Sequence, residues 1–192
     1  MLRRMAMPSS ALLPLFRSAQ QMRLLAEIFH GVPATGAELA RRLGIPQSTV
    51  ARELARLEGS GLIRTENVGT GQVAVPADDL PFAPALRQLL AYVGGIVPVL
   101  IAEYDGRPEI DEVFIFGSWA DRVNGISGPP PNDIDIAIVA DSLTRFDLAE
   151  ERLRLEASTG AKIDQFVVEP DNERLAELRQ HSIPVLRRQH AR

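Results

Sequence analysis

Two carboxylates two residues apart, Asp133 and Asp135, open the apolar run Asp133-Ile-Asp-Ile-Ala-Ile-Val139. Side chains alternate along a strand, so both project from the same face. Upstream, the apolar run Val113-Phe-Ile-Phe116 ends at Gly117-Ser118, and a loop rich in Gly and Pro follows. A turn of this kind can turn backbone N–H groups toward phosphate oxygens. Paired carboxylates beside such a turn are what a Mg²⁺–nucleotide site needs, because Mg²⁺ takes oxygen ligands and shares its shell with substrate phosphates. The elements required to position this chemistry are a strand, a tight turn, a loop and a second strand.

That order of elements resembles the nucleotidyltransferase superfamily that includes DNA polymerase β, kanamycin nucleotidyltransferase and the minimal nucleotidyltransferases. The resemblance implies that Gly117 and Ser118 hold the nucleotide's phosphates. Glycine lets the backbone come close, and serine adds a hydroxyl. It also implies that Asp133 and Asp135 bind divalent metal, and that a later strand supplies a third carboxylate. The run Ala161-Lys-Ile-Asp-Gln-Phe-Val-Val168 reads as that strand, with Asp164 as the candidate. Asp133, Asp135 and Asp164 are then both metal ligands and catalytic residues around two Mg²⁺ ions. One ion would clamp the triphosphate and the other would lower the pKa of an attacking hydroxyl. Asp164 would ligate that second ion or accept the proton. The implied reaction moves a nucleoside monophosphate from a nucleoside triphosphate to a hydroxyl on a protein, an RNA or a small molecule. Minimal nucleotidyltransferases of toxin–antitoxin pairs, which modify a partner toxin, are one precedent. Two departures stand out. The loop Trp119–Asn132 is longer than in minimal nucleotidyltransferases, and Asp121-Arg122 sits where an Arg-Gly is often seen.

The first part of the chain reads differently. Met22, Leu24, Leu25, Ile28 and Phe29 make a helical stripe within Ala19–Phe29. Thr35-Gly-Ala-Glu38 has the form of a capping box opening a short helix to Leu43, and Gly44 suits its end. Pro46 starts a third helix, in which Val50, Leu54 and Leu57 mark a core face. Leu62–Glu66 and Gln72–Val75 flank a Gly-containing tip and predict a β-hairpin. Helix-turn-helix followed by a hairpin is a winged helix. The segment Ala37–Ile63 resembles bacterial winged-helix regulators of the arsenic-repressor and multiple-antibiotic-repressor kinds. That resemblance implies that Gln47, Ser48, Thr49 and Arg52 enter the major groove of duplex DNA. Arg56, and Arg64 at the wing, become candidates for phosphate contacts.

Charge follows the same division. Residues 1–76 hold nine Arg, no Lys and five Glu, whereas the rest holds 12 basic and 20 acidic residues, within a chain of 192 residues and net charge −4. A basic half and an acidic half predict two domains with different partners: a winged-helix domain over 1–76, and a nucleotidyltransferase-like domain with a connecting helix over 77–192. The expected fold class is mixed α+β and α/β, with a mixed sheet flanked by helices in the second domain. Asp171 is the expected N-cap of a helix to Leu178, and Phe146–Glu156 an amphipathic helix before it. The chain has no cysteine, which excludes a disulfide framework and thiolate zinc sites. His30, His181 and His190 show no ligand spacing.

The apolar run Leu89–Ala102 is too short to span a bilayer and is broken by Gly94-Gly95 and Pro98, so it reads as a buried helical element. Met1–Met7 leads into Pro8-Ser-Ser and is a poor signal peptide. A cytoplasmic protein without a membrane partner is expected. A homodimer is expected as well, with Leu12–Phe16 and Leu89–Ala102 as seams, since two-fold symmetry lets a winged helix read a palindrome. The leading expectation is therefore a DNA-binding regulator carrying a Mg²⁺-dependent nucleotidyltransferase. The alternatives are an inactive nucleotide-sensing transcription factor and a small-molecule nucleotidyltransferase.

Overall fold

In the computed structural model, which describes residues 16–69, 71–129 and 131–188, the Ser18 hydroxyl accepts the Gln21 N–H and opens α1 (Ala19–His30). A two-residue strand, β1 (Ala34–Thr35), leads into α2 (Gly36–Leu43). The capping box is formed: Thr35 accepts from the Glu38 N–H, and Glu38 accepts from the Thr35 N–H at 2.8 Å. Gly44 ends α2 at φ +64°, a left-handed conformation that favours glycine. Next come α3 (Gln47–Gly59) and the antiparallel hairpin β2 (Ile63–Val68) and β3 (Gly71–Pro76), paired from Ile63↔Pro76 to Val68↔Gly71. Pro46 is the N-cap of α3 rather than its first residue, and its carbonyl accepts the Thr49 and Val50 N–H groups. The sheet order is β1-β3-β2.

α4 (Ala83–Val93) follows. Leu90 joins Leu24, Phe29, Leu39, Val50 and Ile63 in one core, each 2% exposed or less. Leu54 packs partly buried against that core, completing the α3 face expected from the sequence. The chain divides into compact units at Gly95/Ile96, not at Pro76. The reason is that α4 packs on α1. A Cβ on Gly94 would lie 3.0 Å from the Met22 carbonyl, so Gly94 serves a close approach to α1 and not to the sheet.

The second unit begins with α5 (Ile96–Tyr104) and β4 (Glu112–Phe116). α6 (Gly117–Val123) and β5 (Asp133–Val139) come next. α7 (Ala149–Thr159), β6 (Lys162–Val168), α8 (Leu175–Leu178) and β7 (Ile183–Arg187) complete it. The mixed sheet has the order β6-β5-β4-β7, with only β5 and β6 parallel, as the α7 crossover requires. Ile136, Ala137 and Ile138 at the centre of β5 are wholly buried.

Several expectations need correction. Trp119–Val123 is helix, so the loop covers only 124–132; Trp119, Ala120 and Val123 bury a helical stripe. α7 starts at Ala149 and not Phe146, because Asp147 accepts from both the Thr144 N–H and its hydroxyl and closes a turn there. α8 starts at Leu175, and Asp171 is not its N-cap; the Asn172 side chain takes the Arg174 N–H and holds a turn. Gly94-Gly95 also splits the expected connecting helix into α4 and α5. By length and composition alone, Ala83–Tyr104 (22 residues, mean hydropathy 1.7) passes as a membrane span. Leu90, Ala91, Val97, Leu100 and Tyr104 are fully buried within protein, while 33% of the most apolar window of this stretch is buried. Leu12–Leu15, part of one proposed dimer seam, and His190 lie outside the described residues.

Candidate functional site

α3 buries Val50 and Leu57 and turns its other side outward. Gln47, Ser48 and Arg52 are exposed and Thr49 is half-buried, so the four residues expected in a groove share the outer surface of one helix. The Arg52 guanidinium lies 3.5 Å from the Thr49 hydroxyl. Arg56 donates to Glu53 at 2.6 Å, and Glu53 also accepts from Gln21 at 3.4 Å, so this arginine is already engaged. Arg64 on β2 pairs with Asp79, and both side chains are more than half exposed. An ion pair that open to water is worth little and is readily exchanged for a phosphate contact. Sequence reading missed Asp79, which lies 15 residues away from Arg64; only the fold of the 77–82 turn brings it there.

The acidic site is built by strand register. β5 and β6 run parallel, with Asp133 opposite Lys162 and Asp135 opposite Asp164. In-register neighbours on parallel strands share a face, so all four side chains emerge on the same side of the sheet. Asp135 is further opposite Phe116, the residue before Gly117. Burial, then the neighbouring Asp133 and Asp164 carboxylates, push the Asp135 carboxyl above its ordinary range, while Lys162 opposes them. The Lys162 ammonium donates to Asp164 Oδ2 at 2.8 Å and to Asp133 Oδ2 at 3.2 Å. These hydrogen bonds raise its pKa, Asp164 contributing most.

Among the described residues, no three acidic or histidine side chains are gathered closely enough to hold a metal ion as they stand. The three carboxylates are oxygen donors of the type a hard cation takes, but an ammonium sits on two of them. Lys162 was not singled out from the sequence. The available signal was a Lys-x-Asp strand facing an Asp-x-Asp strand.

Gly117 and Ser118 are exposed at the start of α6, and Gly117 has φ +70°. A Cβ there would collide with the Asp135 carboxylate. The left-handed backbone favours glycine, and a Cβ there would make the Asp135 carboxylate move aside. Arg122 donates to the Gly128 carbonyl at 3.1 Å and ties the 124–132 loop to α6.

Three helices and a two-stranded wing, with an outward-facing third helix, define a winged helix-turn-helix domain. Residues 17–72 match the MarR family, so this segment carries a MarR-family winged-helix DNA-binding domain. No curated protein matches the chain. Among solved structures it is similar to RV1404 from Mycobacterium tuberculosis, at 22% identity and a TM-score of 0.37, covering 50% of this chain and 65% of that one. A likeness that weak carries no argument.

Proposed function

We propose that the protein is a DNA-binding transcriptional regulator whose second unit is a Mg²⁺-dependent nucleotidyltransferase. For DNA, the exposed Gln47, Ser48 and Arg52 and the half-buried Thr49 are suited to base edges, with Arg56 and Arg64 on the flanking phosphates. Dimerisation would present two such helices to a palindrome, and the working compartment would be the cytoplasm, where the DNA is.

The observation that carries the transferase half is the β5–β6 register, which puts Asp133, Asp135 and Asp164 on one face beside Gly117. A nucleoside triphosphate would set its phosphates against the Gly117 and Ser118 N–H groups and the Ser118 hydroxyl. Asp133, Asp135 and Asp164 would hold Mg²⁺, which when bound supplies charge neutralisation for the triphosphate and acidifies the acceptor hydroxyl. Asp164 would take the hydroxyl proton. The acceptor oxygen bonds to the α-phosphorus, the bond from that phosphorus to the bridging oxygen breaks, and pyrophosphate leaves. The acceptor is a protein, RNA or small-molecule hydroxyl.

The test is incubation of the full chain with labelled nucleoside triphosphates, Mg²⁺ and a cell lysate. A labelled acceptor that disappears with Asp135→Asn supports transfer. Equal labelling by both proteins rejects it. A second reading, a regulator that only senses nucleotide, is favoured by one observation: Lys162 neutralises part of the acid set. It requires nucleotide binding without any labelled product.

A further inference from the structure

Gln21 is a polar side chain buried on α1, 8% exposed. A buried amide needs hydrogen-bond partners, and Gln21 has them at both ends. Its Oε1 accepts the Arg17 N–H at 2.9 Å, and its Nε2 donates to Glu53 Oε2 on α3 at 3.4 Å. A backbone N–H can only donate and a carboxylate can only accept, so these two partners fix which way the amide points. The other Glu53 oxygen, Oε1, accepts from Arg56 at 2.6 Å. A chain of side chains, Gln21–Glu53–Arg56, therefore runs from inside the domain to the outer surface of α3. Exposure rises along it, from 18% for the Glu53 side chain to 48% for Arg56. The bond to Glu53 uses one terminal nitrogen of the Arg56 guanidinium, a planar fork of five N–H donors, so other donors stay open to a second anion.

We propose that Gln21 and Glu53 are positioning residues for DNA binding: the buried amide holds the Glu53 carboxylate, and the carboxylate holds the Arg56 guanidinium ready for a backbone phosphate. The inference rests on the proposed reading of Arg56 as a phosphate contact. It carries a sign opposite to simple charge counting. Removing a carboxylate from a surface that meets phosphate removes repulsion, and on that ground alone binding should tighten. Removing the group that orients Arg56 instead frees a long side chain, which must then be ordered at the moment of binding. Ordering one such side chain costs up to about tenfold in affinity, and the lost repulsion returns part of this, so Glu53→Ala should weaken binding about 2- to 5-fold. Gln21→Met keeps the length and the burial and changes no charge. It removes only the hold on Glu53 and should weaken binding in the same direction by a smaller factor.

The measurement is fluorescence anisotropy of a labelled random-sequence duplex of about 25 base pairs, titrated with the full chain at low salt, where phosphate contacts dominate. Wild type, Arg56→Ala, Glu53→Ala, Gln21→Met and the double variant of Arg56→Ala with Glu53→Ala are compared, with thermal melts to verify folding. Weaker binding by Glu53→Ala and by Gln21→Met, with the double variant no weaker than Arg56→Ala, supports the proposal, because the carboxylate then acts through the arginine. If Glu53→Ala binds as tightly as wild type or tighter, or weakens binding by the same factor with and without Arg56, the positioning role is overturned while DNA binding stands. Gln21→Met at the wild-type affinity overturns the part given to Gln21. If Arg56→Ala binds like wild type, the phosphate-contact reading of Arg56 fails and takes this inference with it.

Discussion

Replacing Gly117 by alanine imposes two separable penalties, and Gly160 provides the control. Both glycines lie in the second unit in the left-handed region, at φ +70° and +69°. A Cβ on Gly160, the cap of α7, would find nothing within 4 Å. Gly160→Ala should therefore incur only left-handed strain, ~1–2 kcal/mol. At Gly117 the same strain applies, and the new methyl also runs into the Asp135 carboxylate. Moving that carboxylate off its rotamer adds ~0.5–1.5 kcal/mol. The assay is urea unfolding of the full chain followed by tryptophan fluorescence. Trp119 is the only tryptophan, lies in α6 and is 4% exposed, so its signal belongs to the second unit. The expected order of stability is wild type, then Gly160→Ala, then Gly117→Ala. Adding Asp135→Ala to Gly117→Ala should recover most of the gap between the two glycine variants, as a non-additive cycle between touching groups. Equal losses for Gly117→Ala and Gly160→Ala, or a strictly additive cycle, would refute the claim that the Asp135 carboxylate fills the space over Gly117.

Arg52→Ala should weaken specific DNA binding by about 1–3 kcal/mol and relax sequence preference in a competition shift assay, because a base contact is lost. Arg64→Ala should weaken binding to all sequences alike and lower the salt slope by about one; an unchanged slope would remove Arg64 from the phosphate contacts. Burial lowers the His30 imidazole from 6.5 to about 4. The unfolded chain therefore takes up this proton before the folded one does. The first unit should lose stability as pH falls from 6.5 toward 4, by up to ~3 kcal/mol. An imidazole NMR titration with a midpoint near 6.5 would exclude this. Light scattering of the free protein at micromolar concentration should give a dimer mass.

Most of the first unit is legible because its signals are local. The Thr35–Glu38 capping box, Gly44 and the Val50–Leu57 spacing each lie within a turn or three of helix, and each appears where the pattern predicts it. What escapes is what depends on distant chain. β1 exists only because Ala34 and Thr35 pair with Ala74 and Val73, and β7 only because it pairs with β4. The Thr144–Asp147 and Asn172–Arg174 hydrogen bonds compete with helix formation, so α7 and α8 start later than their apolar spacing suggests. Gly117-Ser118 reads as a turn, whereas Gly117 takes the one left-handed step from which α6 starts, and the buried Trp119, Ala120 and Val123 then carry the helix.

The candidate site divides along the same line. Alternation alone puts Asp133 and Asp135 on one face, and nothing distant is needed for that. The position of Asp164 depends on the register of two parallel strands joined by a helix, and a slip of one residue would turn it to the opposite face. Here the register pairs Asp135 with Asp164, and the same register brings Lys162 against Asp133. The acidic face therefore carries its own counter-ion, and the residue that supplies it is the one that a search for Asp-x-Asp motifs passes over.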